Sequence, residues 1–288
     1  MKSVDIEWLA DDGTPMHAVR WHADSKSTMV ICLIHGLGEH SGRYQKMAQY
    51  YVAHGAEVFA IDLRGHGRSA GQRGHGENFQ QLTGDIDGFL RNALANDVDK
   101  PLFIYGHSMG GALVIQYALS RRRVFNGVIL SSPLFKPAFE PPQWKVRLGR
   151  YLQLIWPTLS LSNEVDMTAL TRNVAELDRL QQDPLSHNRI SAQFGIQLLE
   201  QSRQLLSEAS RVDFPVLLMH GNADEITCHK ASTQFAEHAG QSCCLKIWEG
   251  FYHELHHEPE QEEVFDYCLK WMKQTYRAGK SLSSADFL

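Results

Sequence analysis

Residues 102–115, Leu-Phe-Ile-Tyr-Gly-His-Ser-Met-Gly-Gly-Ala-Leu-Val-Ile, leave few folds open. A short apolar run enters Gly-x-Ser-x-Gly, and an apolar stretch of helical character leaves it. The pentapeptide alone arises by chance in roughly one chain in ten of this size, so the flanks carry the inference. A strand that turns sharply into a helix holds its corner residue, Ser108, in a strained conformation with the hydroxyl exposed above a sheet. Side chains two residues before and after would collide there, which accounts for Gly106 and Gly110. The pattern therefore calls for an α/β sheet and offers Ser108 as a nucleophile. A Gly-rich turn without chemistry is the plain alternative.

The rest of the chain fits that sheet. Residues 4–9 and 16–22 alternate as an opening antiparallel hairpin with Asp12-Gly13 as its turn. Parallel strands are expected near 29–34, 57–61, 101–105, 127–131, 215–219 and 244–249, with helices near 41–54, 78–96, 109–122, 229–239 and 260–276. Strands alternating with helices imply right-handed crossovers and a mostly parallel, doubly wound sheet of about eight strands. The alternation breaks between residues 134 and 210, where Pro137, Pro141 and Pro142 mark a helix-rich insert over the strand ends. The expected organisation is a core of residues 1–133 and 211–279, a helical cap of 134–210 and a flexible, Ser-rich tail of 280–288.

A serine hydroxyl needs a base, an orienting acid and an oxyanion site. In this architecture they follow in the order Ser, Asp or Glu, His. The apolar run Phe214–His220 empties into Gly221-Asn-Ala-Asp224, which places Asp224 just past a strand's C-terminal end. The next strand leads into Gly250-Phe-Tyr-His253, so His253 has the required position. Asp is also a common turn former, and His256 and His257 stand nearby as rival bases. The backbone N–H of Met109, after the nucleophile, is one oxyanion donor, and the Gly-rich loop His35–Gly38 after the strand 29–34 can supply another. A competing motif is present. His253-Glu254-x-x-His257 matches H-E-x-x-H, which in a zinc hydrolase sets two histidines on one helical face. Gly250 upstream and Pro259 downstream leave little room for that helix, and 15 histidines make accidental matches easier.

Several longer segments then carry a resemblance. Leu33-Ile-His35-Gly-Leu-Gly-Glu-His-Ser-Gly-Arg-Tyr44, Asp62-Leu-Arg-Gly-His-Gly-Arg-Ser69, Gly106–Gly111 and Gly250–Glu254 resemble the monoacylglycerol lipase and lysophospholipase branch of the α/β-hydrolases, in order and spacing from about residue 28 to 275. The resemblance implies Ser108 as nucleophile, Asp224 as acid, His253 as base, and the Leu37 and Met109 amides as the oxyanion hole. It implies a structural role for Asp62–Ser69, and Asp183-Pro-Leu185 resembles a short cap motif of the branch. The substrate implied is a single-chain lipid ester, with monoacylglycerol first, lysophospholipid second and small soluble esters third. Ser108 at the elbow excludes the carboxylate nucleophile of dehalogenases and epoxide hydrolases. No metal or organic cofactor is expected. A catalytically silent binding protein of the same fold is the alternative from another class.

Bulk properties point the same way. A net charge of −5 argues against nucleic acid as a partner. No apolar run approaches the ~20 residues that span a bilayer. The acidic N-terminus is unlike a secretory signal, and five irregularly spaced cysteines read as free thiols of a reducing compartment, so a cytoplasmic location is expected. In the cap, Trp144, Leu148, Tyr151, Leu152 and Ile155 recur at helical spacing after Pro142 and are expected to share one face. The stripe either packs on the core or lines a substrate-binding, membrane-contacting face.

Overall fold

The computed structural model describes residues 1–94, 100–121 and 125–285. Strands β1 (Lys2–Leu9) and β2 (Pro15–His22) form the expected hairpin, with Glu7 opposite His17. There follow β3 (Met29–Ile34), a 3-10 turn Ser41–Tyr44 with α1 (Gln45–Ala53), β4 (Ala56–Asp62), α2 (Phe79–Ala93), β5 (Leu102–His107), α3 (Met109–Ser120) and β6 (Gly127–Ser131). An insert comes next: α4 (Gln143–Ile155), β7 (Ser160–Ser162), α5 (Val174–Gln182), β8 (Arg189–Ser191) and α6 (Ala192–Ser207). The sheet resumes with β9 (Val216–Gly221), α7 (His229–Ala239), β10 (Cys243–Trp248) and α8 (Gln261–Ala285).

Eight strands form one sheet in the order β1-β2-β4-β3-β5-β6-β9-β10, parallel from β4 onward. Every residue of β3, β4, β5, β6 and β9 is buried, because helices cover both faces, and this is why those strands read as unbroken apolar runs. Alternate side chains divide between two cores. Val30, Cys32 and Ile34 join α2, α3 and α7 on one face, while Ile31 and Leu33 join α1 and α8 on the other. The chain leaves β3 to one side for β4 and returns to its other side as β5. Strand order reverses there, and the loops after β3 and β5 flank the crevice that such a reversal opens.

Two expectations need correction. The tail expected from residue 280 is helical through Ala285, and only 286–288 lie outside the described residues. Ser, Leu and Ala extend a helix at small cost, and Gly279 alone, at about 1 kcal/mol, does not end one. The insert is also not purely helical, since β7 and β8 pair antiparallel with Leu161 opposite Ile190. Among the described residues no helix is long and apolar enough to cross a membrane.

Candidate active site

β5 delivers Ser108 to the corner before α3. Its backbone sits at φ 52°, a left-handed conformation that costs a non-glycine residue roughly 1–3 kcal/mol. The corner is held by Ser108 N–H donating to Ser131 O and by Ser108 O accepting from Leu134 N, both at 3.0 Å. The steric reading of the flanks is correct. A Cβ on Gly106 would lie 2.6 Å from Gly110 O, and one on Gly110 would lie 2.3 Å from Ile34 O. The second contact shows the elbow resting directly on the end of β3. One detail differs: Ser108 is only 9% exposed, not open above the sheet. The insert bonds both loops around it, with Leu170 O accepting from Glu254 N (2.7 Å) and His187 N donating to Gly38 O (2.8 Å).

Asp224 follows β9 and His253 follows β10, on loops tied together by Ala223 N to Phe251 O at 3.1 Å and Gly250 N to Asn222 Oδ1 at 2.7 Å. Asp224 Oδ1 accepts the amides of Ile226 and Thr227 (2.7 and 2.9 Å), which fixes the carboxylate. Oδ2 accepts from His253 Nδ1 at 2.7 Å, so the opposite ring nitrogen is the one that faces away from the acid. Burial alone would raise the Asp224 carboxyl, but His253, His220 and their hydrogen bonds hold it well below the usual carboxylate range. Burial disfavours a charged His253, yet Asp224's charge and hydrogen bond outweigh it and raise the imidazole above its ordinary value. His107, its ring tilted against that of His253 with centroids 4.8 Å apart, is pushed down to about 4 by burial and by His253, and donates from Nδ1 to Ser131 O.

The loop after β3 adjoins this corner. His35 Nε2 accepts from Leu63 N (2.9 Å) and Gly36 N donates to Glu39 Oε1 (2.6 Å). The Leu37 amide has no hydrogen-bond partner among the described residues, and Met109 holds the first position of α3, where an amide has no intrahelical acceptor. Asp62 has the structural part expected of its loop. It accepts from Ser41 N (2.7 Å), Arg68 N (2.9 Å) and His17 Nδ1 (3.0 Å). Asp183, of the expected cap motif, pairs with His40 at 2.7 Å and joins the insert to the loop after β3.

Beneath the site lies a buried charge cluster. Arg43 donates to both oxygens of Glu254 (2.6 and 2.7 Å) and to Glu39 (3.1 Å), and Tyr44 OH donates to Glu39 at 2.9 Å. This cluster disposes of the H-E-x-x-H geometry. Only Leu255–His257 are helical, His253 faces Asp224, and His257 spans Glu254 and Arg43 O at 2.7 and 3.0 Å. Glu254, His256 and His257 do bring metal-type ligand atoms within 4.8 Å of one another, but the Arg43 guanidinium occupies both Glu254 oxygens. Neither rival base contacts Asp224, and His256 stacks on Tyr44 instead, with ring centroids 4.6 Å apart. Arg43→Met strips a buried fork from two carboxylates and should cost about 3–5 kcal/mol of stability. Urea unfolding of the variant checks this, and a loss under 1 kcal/mol would show the cluster to be well hydrated.

The stripe on α4 points outward. Trp144, Leu148, Tyr151 and Ile155 are 63, 48, 61 and 60% exposed, and no residue of α4 is buried. Leu152, expected on the stripe, instead joins Val146 and Gly149 on the inward side, where a Cβ on Gly149 would lie 2.9 Å from Ile196 of α6. Internal packing of the stripe is therefore excluded. The sequence reading also missed three residues that the site uses: Arg43, Thr227 (Oγ1 to Asp224 Oδ2, 2.8 Å) and His220 (Nε2 to Oδ2, 3.0 Å). A signal for the last was there, since a polar ring within a buried apolar strand requires a partner.

Comparison with known proteins agrees with this architecture. A family model described as Serine aminopeptidase, S33 matches residues 25–260. The chain is 38% identical over 278 residues to an uncharacterised abhydrolase domain-containing protein of Dictyostelium discoideum, covering 96% of this chain but only 29% of that longer protein. It is 35% identical over 268 residues to the monoglyceride lipase of Homo sapiens, covering 91% of this chain and 88% of that one. The crystal structure of Paleococcus ferrophilus monoacylglycerol lipase superposes with a TM-score of 0.82 at 34% identity, over 90% of this chain and 99% of that one. A strained serine elbow, a strand-end aspartate bonded to the histidine of the next loop, and a match running from before β3 to the start of α8 together mean that this chain belongs to the Hydrolase_4 (serine aminopeptidase, S33) family of α/β-hydrolases.

Proposed function

We propose that this chain is a serine esterase that hydrolyses monoacylglycerols through an acyl-enzyme on Ser108. The observation that carries the reading is the Asp224–His253 pair, 2.7 Å apart and buried, on loops beside the Ser108 elbow. His253 Nε2 removes the Ser108 proton as Oγ attacks the ester carbonyl, and Asp224 holds the tautomer and stabilises the imidazolium. The Leu37 and Met109 amides receive the oxyanion. His253 then protonates the leaving glycerol, and a water that it activates releases the fatty acid. Residues 1–133 and 211–279 act as the catalytic core and 134–210 as a cap. A panel of monoacylglycerols, lysophospholipids and short p-nitrophenyl esters tests the substrate. Monoacylglycerol should lead, and kcat/KM should rise with acyl length by up to about 0.8 kcal/mol per methylene until the site is filled. A preference for lysophospholipid would move the assignment to the runner-up.

The cap brings the enzyme to its substrate. Trp144, Leu148, Tyr151 and Ile155, with Leu154 and Trp156 beside them, form an exposed apolar face of the kind that marks a binding surface. Lys145 and Arg150 on the same helix are paired with Glu164 (2.6 Å) and Glu200 (2.9 Å), which leaves exposed Arg147 as the one cation of α4 without an ion pair among the described residues, so apolar burial supplies most of the contact. Fully burying one such side chain contributes about 1.5–3 kcal/mol. The double variant Leu148→Glu, Ile155→Glu should therefore lose about tenfold or more in rate on monoacylglycerol dispersed in phosphatidylcholine vesicles. Its rate on a short soluble ester and its Tm should be unchanged, because exposed substitutions seldom move stability by more than about 0.5 kcal/mol. Equal loss on both substrates would end the membrane reading.

A further inference from the structure

Asp224 serves two histidines. His253 Nδ1 and His220 Nε2 both reach Oδ2, at 2.7 and 3.0 Å, and Thr227 Oγ1 joins them at 2.8 Å. Oδ1 is taken by the amides of Ile226 and Thr227. A carboxylate offers about four acceptor sites, so five donors compete and three of them crowd one oxygen. His220, next to last in β9, has 0% exposure, and its Nδ1 lies 2.7 Å from Ser232 Oγ on α7. An ionised carboxylate only accepts, so Nε2 carries the proton. The neutral ring then accepts from Ser232 at Nδ1. Burial favours this neutral form and keeps His220 below the ordinary imidazole range despite the adjacent Asp224.

We propose that His220 is a positioning residue of the hydrolysis: its Nε2–H fixes the Asp224 carboxylate against His253 and takes up part of the charge that the His253 imidazolium would otherwise hold. The inference rests on the Ser108–Asp224–His253 reading above. The groups that face His253 set its affinity for the proton between them. Asp224 after β9, Glu254 on its own loop and Glu39 after β3 favour the charged ring, while burial and His107 of β5 oppose it. His220 and Thr227 act through Asp224 by sharing its oxygen. His229, whose ring centroid is 6.4 Å from that of His220, lies on the far side of that pair, on α7. With the His220 donor gone, Oδ2 is left to His253 and Thr227. The imidazolium is then held more tightly, and the base stays protonated to a higher pH.

The test is the pH dependence of kcat/KM on a short soluble ester, measured on the full chain. His220→Leu should move the acid limb upward by about half to one pH unit. That amounts to a roughly three- to tenfold loss on the acid side and a smaller one on the plateau. His220→Gln, whose amide donates from nearly the same place, should bring the limb back toward wild type. Ser232→Ala removes the hydroxyl that anchors the His220 ring at Nδ1 and should shift the limb in the same direction by less, which serves if His220→Leu does not fold. A loss equal at every pH with a lower Tm, or an unmoved limb in both His220→Leu and Ser232→Ala, would make His220 structural only and overturn the inference. The two levels separate cleanly. Full activity in Ser108→Ala would sink the triad reading, whereas an inactive Ser108→Ala with an unmoved limb counts against His220 alone.

Discussion

Replacing Ser108 with alanine is expected to reduce hydrolysis of monoacylglycerol by about six orders of magnitude, the scale on which a serine acts within such a triad. The fold should persist. The substitution removes only Oγ, and the hydrogen bonds of the corner, Ser108 N to Ser131 O and Leu134 N to Ser108 O, are made by backbone. Alanine keeps the Cβ and hence the strain at φ 52°. Ser108→Gly should be equally inactive but melt above Ser108→Ala, because glycine adopts that conformation freely. A fluorophosphonate should label the wild-type chain at Ser108, as located by mass spectrometry of the digested adduct, and EDTA should leave the rate unchanged. An active Ser108→Ala together with inactivation by EDTA would transfer the chemistry to a metal and discard the serine mechanism.

The parts of this molecule that were legible in advance are those dictated by short-range physics. Strands buried on both faces must be apolar throughout, so β3, β5, β6 and β9 announced themselves, and the collisions at Gly106 and Gly110 tied the elbow to one geometry. Asp224 followed because it succeeds such a strand, and His253 because it succeeds the next one, the half-buried β10. What stayed hidden depends on long-range pairing. Arg43 and Glu254 are 211 positions apart, and nothing local to either reveals that one neutralises the other in the interior. His220 was hidden by its own strand, where it read as the last residue of an apolar run instead of as a partner for Asp224. In α4 the rule that an apolar stripe faces inward fails. The inward side needs little hydrophobic bulk because Gly149 lets α6 approach closely, and the larger side chains are left on the surface. Departures of this kind are where function is expected, so the exposed stripe is itself informative.

His253→Ala should lower kcat by about six orders of magnitude and Asp224→Asn by about four, for different reasons. Alanine removes the base outright. Asparagine keeps the shape of Asp224 but presents an amide, and an amide N–H facing Nδ1 favours the tautomer with the proton on Nε2, which is the nitrogen that must be bare to take the Ser108 proton. Either change combined with Ser108→Ala should cost little more than Ser108→Ala alone, since the three residues act as one unit. The pH profiles separate the two contributions to His253. In the wild type, Asp224 outweighs burial and raises the imidazole. Activity should therefore fall, as pH drops, through an apparent pKa above the ordinary imidazole value of about 6.5. In Asp224→Asn the raising charge is gone and burial remains, so the acid limb of the residual activity should move to lower pH. His257→Ala, with its ring on Glu254 and Arg43 and not on Asp224, should lose stability while keeping the acid limb of the wild type. Near-normal rates in His253→Ala, with collapse of activity in His257→Ala, would move the base to the other end of that loop and take the Asp224 assignment with it.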